Sequence, residues 1–472
     1  MVFSDPAFLF YFLPVTLLAY WLAGRRFRNM FLFVVSFVFY MSGGGGTIVL
    51  LSATAVGTYL FGLFLDRFRD GSQVRIIKLA GVALLLGSLI YWKYLGFLAR
   101  QTSALFSHLG LSVDLRFNVV LPIAISFFTF QCISYLVDVA RGEIRTERSL
   151  TTFLCYVFLF PHLLAGPVVR YRDVVEQLSS RPSNLWLSFA SSCPRFLWGL
   201  AKKVLIADQA GQIADAVFSV AGYQLTTLDT VIGVVAYTVQ IYFDFSGYSD
   251  MAIGLAGMFG IKFQENFRRP YSAVTVTDFW RRWHISLSTW FRDYVYIPLG
   301  GNRKGVTRTY RNLLVVFVLT GFWHGANWTF LLWGLLHGTA LVLERLILKG
   351  RDVHRRFHKI LLRVWTLGIV MFGWMVFRAV DVPHALDLLT ALDGAAGVSM
   401  SPIVGSAVTT QRVFWMTIGL TSVFLSGRQS FGERLSSEET GAVPRLLAVG
   451  VGSVACLYAL SSSFSPFLYF QF

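Results

Sequence analysis

The run Leu313-Leu-Val-Val-Phe-Val-Leu-Thr320-Gly-Phe-Trp323-His324-Gly-Ala-Asn327-Trp-Thr-Phe-Leu-Leu-Trp333-Gly-Leu-Leu-His337-Gly-Thr-Ala-Leu-Val-Leu-Glu344-Arg345-Leu-Ile-Leu348 decides the fold. Apart from its two histidines, its only ionisable residues are Glu344 and Arg345. As one helix it would be about 54 Å long, against a bilayer core of ~30 Å. Both flanks are basic, with Arg308 and Arg311 before and Lys349 and Arg351 after. The run is therefore expected to be a hairpin that returns to its starting side, broken at or near Gly321 to Asn327. Counted from Asn312, His324 lies about 18 Å along a helix, inside the bilayer and short of a full crossing.

The rest of the chain has the same character. It is 55% hydrophobic and only 14% charged, with a mean hydropathy of +0.60, which places it in the membrane class. The net charge of +16 does not point to nucleic acid, because the basic residues sit in short loops between apolar runs, the positive-inside pattern. Cys132, Cys155, Cys193 and Cys456 lie singly, without metal or disulfide spacing, and read as small buried hydrophobes. The first apolar run lacks a basic flank before it and a small-residue cleavage site, so no cleavable signal peptide is expected.

In chain order, Pro6 to Ala23 is long enough to span, and Arg25, Arg26 and Arg28 after it mark the cytoplasmic side. Met30 to Leu65 has no charge and is broken by Gly43 to Gly46, giving two spans. Leu79 to Leu98 and Phe117 to Val139 read as further spans. Leu150 to Val169 holds Pro161-His162 and Gly166-Pro167 and reads as a segment that dips and returns. Leu185 to Ile206, Thr230 to Phe245, Arg363 to Phe377, 412–427 and 443–460 follow. The expectation is an all-α polytopic membrane protein of about 10 to 13 spans, read as one integral membrane domain over residues 1–472. Residues 240–348 form its catalytic core.

Residues 262–311 carry ten Lys and Arg against Glu265, Asp278 and Asp293, and are expected in the cytoplasm. Within them Phe279, Trp280, Trp283, Ile285, Leu287, Trp290 and Phe291 recur at spacings of three and four, the pattern of one amphipathic helix at the interface. Residues 380–411 have no Lys or Arg and read as external.

Polar groups in membrane-grade sequence are expensive, so they are functional candidates. A histidine in a low-dielectric site is neutral and can take a proton from a hydroxyl attacking an acyl carbonyl. His324 fits that role, with Trp323 and Asn327 placed to position substrates; on the residues alone, a histidine satisfied by a backbone carbonyl at a helix break is the commoner arrangement. His284 follows Arg281 and Arg282, a pair suited to phosphates, a carboxylate or lipid headgroups. Asp244 and Asp250 lie in an apolar run, where pairing with Ser246, Tyr248 or Arg292 is the structural alternative. His162 and His337 read as packing residues. No phosphate loop, dinucleotide fingerprint, zinc spacing or nucleophile elbow is present.

Four stretches carry a resemblance: Phe243-Asp-Phe-Ser-Gly-Tyr-Ser-Asp-Met-Ala-Ile253, Phe279-Trp-x-Arg-Trp-His-x-Ser-Leu-Ser288, Phe291-Arg-Asp-Tyr-x-Tyr-Ile-Pro-Leu-Gly-Gly301 and Phe322-Trp-His-Gly-Ala-Asn-Trp328. With Phe3-Ser-Asp-Pro, Ala165-Gly-Pro-Val-x-Arg-Tyr171 and the closing Phe-Leu-Tyr-Phe-Gln-Phe, the chain resembles the membrane-bound O-acyltransferase family, in its bacterial polysaccharide-acetylating branch. The resemblance implies a helical bundle with re-entrant segments around a central funnel, His324 as the family's membrane histidine and His284 as a second catalytic residue. Asp250, Arg281, Arg282, Trp323 and Asn327 are the positioning candidates. It further implies a cytoplasmic thioester co-substrate such as acetyl-CoA, with no bound cofactor or metal. The acceptor would be an extracytoplasmic acetyl-accepting or polymer-modifying protein, and the location the bacterial inner membrane. The implied activity is O-acetylation of an exopolysaccharide, alginate first. Cellulose, peptidoglycan or D-alanyl teichoic acid chemistry, and a non-enzymatic transporter, are the alternatives.

Overall fold

A bilayer offers backbone amides no water, so an apolar run satisfies them within a helix. Among the described residues every regular element is helical. The computed structural model describes residues 1–69, 71–117, 119–180, 184–220, 225–348, 356–424, 429–437, 439–461 and Phe467. Six helical stretches among them are long and apolar enough to cross a membrane: Arg25–Arg67, Gln73–His108, Thr227–Met258, Trp328–Leu348, Phe357–Arg378 and Ala442–Ser461. Phe8–Leu22 is apolar but shorter. The chain is a polytopic all-α membrane protein.

The described residues form two compact units. The first comprises Met1, Ala7–Phe189 and Leu255–Gln264. Its helices are α1 (Leu13–Leu22), α2 (Arg28–Gly44), α3 (Ile48–Arg67), α4 (Gln73–Leu89), α5 (Leu95–His108), α6 (Ile125–Arg141), α7 (Leu150–Phe158), α8 (Phe160–Leu163) and α9 (Tyr171–Ser179). The expected glycine break is there: α2 ends at Gly44, and Gly45 takes a positive φ of 51° before α3 begins. The expected span from Phe117 is shorter than its apolar run. Its helix starts only at Ile125, because Pro122 and the left-handed Ala124 precede it. At the break after α7, buried His162 meets the Gln131 side chain at 2.6 Å, a structural role.

The second unit comprises Val2–Pro6, Ala190–Gly254 and Glu265–Phe472. Its helices are α10 (Leu185–Ala201, entering from the first unit), α11 (Asp208–Phe218), α12 (Thr227–Met258), α13 (Val276–Trp280), α14 (Ile285–Phe291), α15 (Val306–His324) and α16 (Trp328–Leu348). After them come α17 (Arg356–Arg378), α18 (Val382–Thr390), α19 (Pro402–Ala407), α20 (Thr410–Phe424), α21 (Phe431–Leu435) and α22 (Ala442–Ser461). The hairpin is α15 and α16, with the break at residues 325–327. Its arms lie close because Gly321 and Gly334 present no side chain; a Cβ on either would run into the carbonyl of Phe330 or Phe317. The α10–α12 crossing is built the same way. A Cβ on Gly199 would sit 2.5 Å from the Gly247 carbonyl oxygen.

The amphipathic helix expected between Phe279 and Phe291 is two short helices, α13 and α14. The break is at His284, which takes a left-handed φ of 43°. Its aromatic stripe is buried in protein: Phe279, Trp280, Trp283, Trp290 and Phe291 all lie in the core. α13 packs on α16, and Glu344 accepts the backbone N–H groups of Val276 (2.5 Å) and Thr277 (3.2 Å), capping α13.

Candidate active site

His324 is the last residue of α15, 7% exposed, at the point where the hairpin breaks. Three rings enclose its imidazole: Trp323 at 4.9 Å, Trp333 at 5.1 Å and Phe377 of α17 at 5.1 Å between centroids. The Trp323 ring is also 6.4 Å from the His284 ring, so one indole neighbours both histidines.

His284 is 1% exposed, and the turn that carries it is unusual for a residue with a side chain. Its ring stands edge-on to Phe245 of α12 at 4.6 Å. Its Nδ1 lies 3.1 Å from Oδ1 of Asn266. His284 is outside the six apolar helices, and burial pushes its pKa from the ordinary 6.5 down to about 3, so it is neutral.

Beside this pair lies a buried charge network. Asp250 accepts from Arg195 Nε (3.0 Å) and Nη2 (2.8 Å) and from Lys202 Nζ (2.8 Å). Arg195 also holds Glu265 through two contacts of 2.6 Å. Lys203 bridges Asp208 (2.6 Å) and Asp244 (2.9 Å). Both lysines sit on a π-helical turn, Lys202–Ala207, that continues α10 past Pro194; such turns recur at functional sites. Charges this deep persist only when paired.

Of this network Lys202 lines a cavity of about 410 Å³, while Arg195, Asp250 and Glu265 line a smaller one next to it. Lys202, Arg269 and Arg434 supply three cations to the lining of the larger cavity; Trp198, Tyr242 and Tyr271 are among its aromatic rings. Arg269 has a left-handed φ of 48°, so two of the three non-glycine residues with positive φ among the described residues lie in this region. Lys202, Tyr242 and Ser430 line both it and the smaller cavity, which at about 10 Å³ has room for about one water. Asn266 lines the smaller cavity and touches His284. A polyanion carrying flat groups matches the larger cavity, and His284 borders the smaller one through Asn266.

The structure thus brings His284, Trp323 and His324 together, with Asp250 in the lining of the smaller cavity. The other candidates make the following contacts. Asp250 pairs with Arg195 and Lys202, while Arg292 pairs with Asp293. Arg281 is exposed, and Arg282 is tied to Asp278 (2.8 Å) and Ser272 (3.0 Å); neither lines the cavity. Asn327 Nδ2 donates to the Val380 carbonyl (2.7 Å) and its Oδ1 accepts from Thr329 N (3.3 Å). His337 is fully buried among Trp280, Trp333 and Phe279, the packing role expected of it. Arg195, Arg269, Arg434 and Asn266 went unread in the sequence. The available signal was Arg195 and Lys202-Lys203 inside an apolar run, where cations demand carboxylates. Phe467 stacks on Tyr248 at 4.5 Å; the other residues of the closing aromatic motif lie outside the described set.

Residues 76–380 match the model of the MBOAT, membrane-bound O-acyltransferase family. The chain is 39% identical to a probable alginate O-acetylase AlgI of Pseudomonas putida and 40% identical to one of Azotobacter vinelandii, each alignment covering 100% of both chains. It is 33% identical to a peptidoglycan O-acetyltransferase of Helicobacter pylori, over 100% of this chain and 98% of that one. The chain is a multi-pass membrane acyltransferase and belongs to the membrane-bound O-acyltransferase family.

Proposed function

We propose that this protein is an O-acetyltransferase of the bacterial inner membrane. It takes acetyl groups from a cytoplasmic thioester, acetyl-CoA first, and delivers them for O-acetylation of an exopolysaccharide. The observation that carries the reading is a cavity lined by three cations that shares Lys202, Tyr242 and Ser430 with a smaller cavity, whose lining residue Asn266 contacts buried His284. Phosphates of a nucleotide-linked thioester suit Lys202, Arg269 and Arg434, and its flat groups suit Trp198 and Tyr242. The names of the full-length relatives favour alginate as the polymer. Residues 1–472 act as one membrane domain, with the chemistry in 240–348, and the immediate acceptor is an extracytoplasmic partner that passes acetyl to the polymer.

In the reaction, an acceptor hydroxyl attacks the thioester carbonyl. The new C–O bond forms and the C–S bond breaks. His324 takes the hydroxyl proton and returns it to the leaving thiolate, so no net proton is consumed. His284 and Trp323 complete the site, and the enclosing rings exclude water that would hydrolyse the thioester.

The test is acetyl-CoA labelled in its acetyl group, added to purified protein in lipid vesicles with alginate oligosaccharides and, separately, with the extracytoplasmic partner. Stoichiometric free thiol and label in an alkali-labile ester support the reading. Release of thiol with no ester on either acceptor would remove the assigned acceptors, and no release would remove the donor.

A further inference from the structure

The contacts of Asn266 settle which ring nitrogen of His284 carries the proton. Asn266 is fully buried between α12 and α14. Its Oδ1 receives the backbone N–H of Ser286 at 3.2 Å and the Ser286 hydroxyl at 2.8 Å. A backbone N–H only donates, so the amide atom facing it is the oxygen and not the NH₂ group. His284 Nδ1 lies 3.1 Å from the same oxygen. The Ser286 hydroxyl, 3.4 Å from Nδ1, gives its own proton to Asn266 Oδ1 at 2.8 Å, so the acceptor oxygen facing Nδ1 leaves it the role of an N–H donor.

The amide is held at its other ends too. Nδ2 donates to Ser249 Oγ on α12 at 3.0 Å, and the Asn266 carbonyl accepts Ile285 N–H at 3.0 Å. Asn266 therefore takes the first two N–H groups of α14, a task that an N-cap side chain usually performs and that His284, left-handed at that position, does not.

We propose that Asn266 is a positioning residue that locks neutral His284 as the Nδ1–H tautomer, so that Nε2 is a hydrogen-bond acceptor for an O–H or N–H group of a substrate. This arrangement rules out His284 as a donor to the acyl oxygen; His284 orients a substrate and His324 takes the proton. The kinetic part rests on the acyl-transfer reading above, whereas the tautomer does not. Among the described residues, the carboxylates on the surrounding elements are engaged. Asp244 is held by Lys203, Asp250 by Arg195 and Lys202, and Glu265 by Arg195; Trp323 neighbours both His284 and His324.

The experiment has two arms. In the first, protein labelled with ¹⁵N-histidine in lipid is measured by solid-state NMR, His284 being assigned by the signals lost in His284→Gln. A protonated Nδ1 and an unprotonated Nε2 are expected; the opposite tautomer overturns the proposal. In the second, Asn266→Ala and Asn266→Asp are assayed with acetyl-CoA and alginate oligosaccharides. Asn266→Ala should lose roughly 10-fold or more in turnover and lose the single tautomer. Asn266→Asp keeps the acceptor oxygen, so at pH 8 it should retain activity and tautomer. Its carboxylate stabilises an imidazolium, so it should gain an acid limb near neutral pH that the wild type lacks. A raised KM for oligosaccharide alone identifies the bound donor as a hydroxyl; a raised KM for acetyl-CoA alone identifies an N–H or O–H of the thioester. Wild-type constants in Asn266→Ala would overturn the proposal. If wild-type protein releases no thiol, the donor reading falls and the NMR arm decides the role of Asn266.

Discussion

Replacing Asp250 with alanine tests whether the charge network holds the cavity wall. The carboxylate accepts three contacts of 2.8–3.0 Å, two from Arg195 and one from Lys202. Arg195 would keep Glu265 through its two 2.6 Å contacts. Lys202 would keep the Tyr242 ring, 5.9 Å from its Nζ, in place of a carboxylate. The loss is therefore dominated by one stranded ammonium, and breaking a buried pair in this way costs about 3–5 kcal/mol. The low end is expected, because Arg195 retains a partner. Removing the stranded charge as well, in Asp250→Ala with Lys202→Met, should recover more than half of the loss. Unfolding free energies from steric trapping in bicelles measure both variants. A single variant as stable as wild type, or a double variant less stable than the single, would refute the reasoning.

Arg434→Ala should raise the KM for acetyl-CoA about 10-fold, equivalent to 1.4 kcal/mol, and by less at high salt; Arg282→Ala, tied to Asp278 and away from the cavity, should leave it unchanged. Buried neutral His284 should make the fold acid-sensitive. Its folded pKa of about 3 lies below the ordinary 6.5, so its contribution is complete above pH 6.5 and is lost as pH falls from 6.5 towards 3; a shallower loss in His284→Gln, followed by thermal unfolding, is the expected signature. A cysteine at Asp387 should react with an impermeant reagent in intact cells and one at Arg303 should not; the reverse labelling would invert the assigned topology.

The hairpin could be read in the sequence because length, charge and glycine placement all bear on it: no helix of that length fits the bilayer, and both flanks are basic. His324 could be read for the same reason, as a polar residue at the break. The stripe from Phe279 to Phe291 misled because spacings of three and four survive on either side of a one-residue break. The left-handed φ at His284 leaves no mark on hydrophobic periodicity. Arg281 and Arg282 do not line the cavity, because adjacency in sequence stands in poorly for proximity in a bundle. Arg269 and Arg434 share one cavity although they lie on different elements. Asp250 finds Arg195 and Lys202 on a helix that reaches it only because Gly199 and Gly247 let two backbones meet. Periodicity reports which residues face inward; it does not report which inward-facing residues meet.

The central claim is that His324 takes the proton of the attacking hydroxyl, and His324→Gln tests it most directly. Glutamine keeps a hydrogen-bonding side chain among Trp323, Trp333 and Phe377 but cannot accept the proton. With the variant present in the membrane at the wild-type level, turnover of acetyl-CoA into polymer ester should fall about 10²–10⁴-fold, the usual contribution of a general base. A well-expressed His324→Gln protein that acetylates at close to the wild-type rate would contradict the claim.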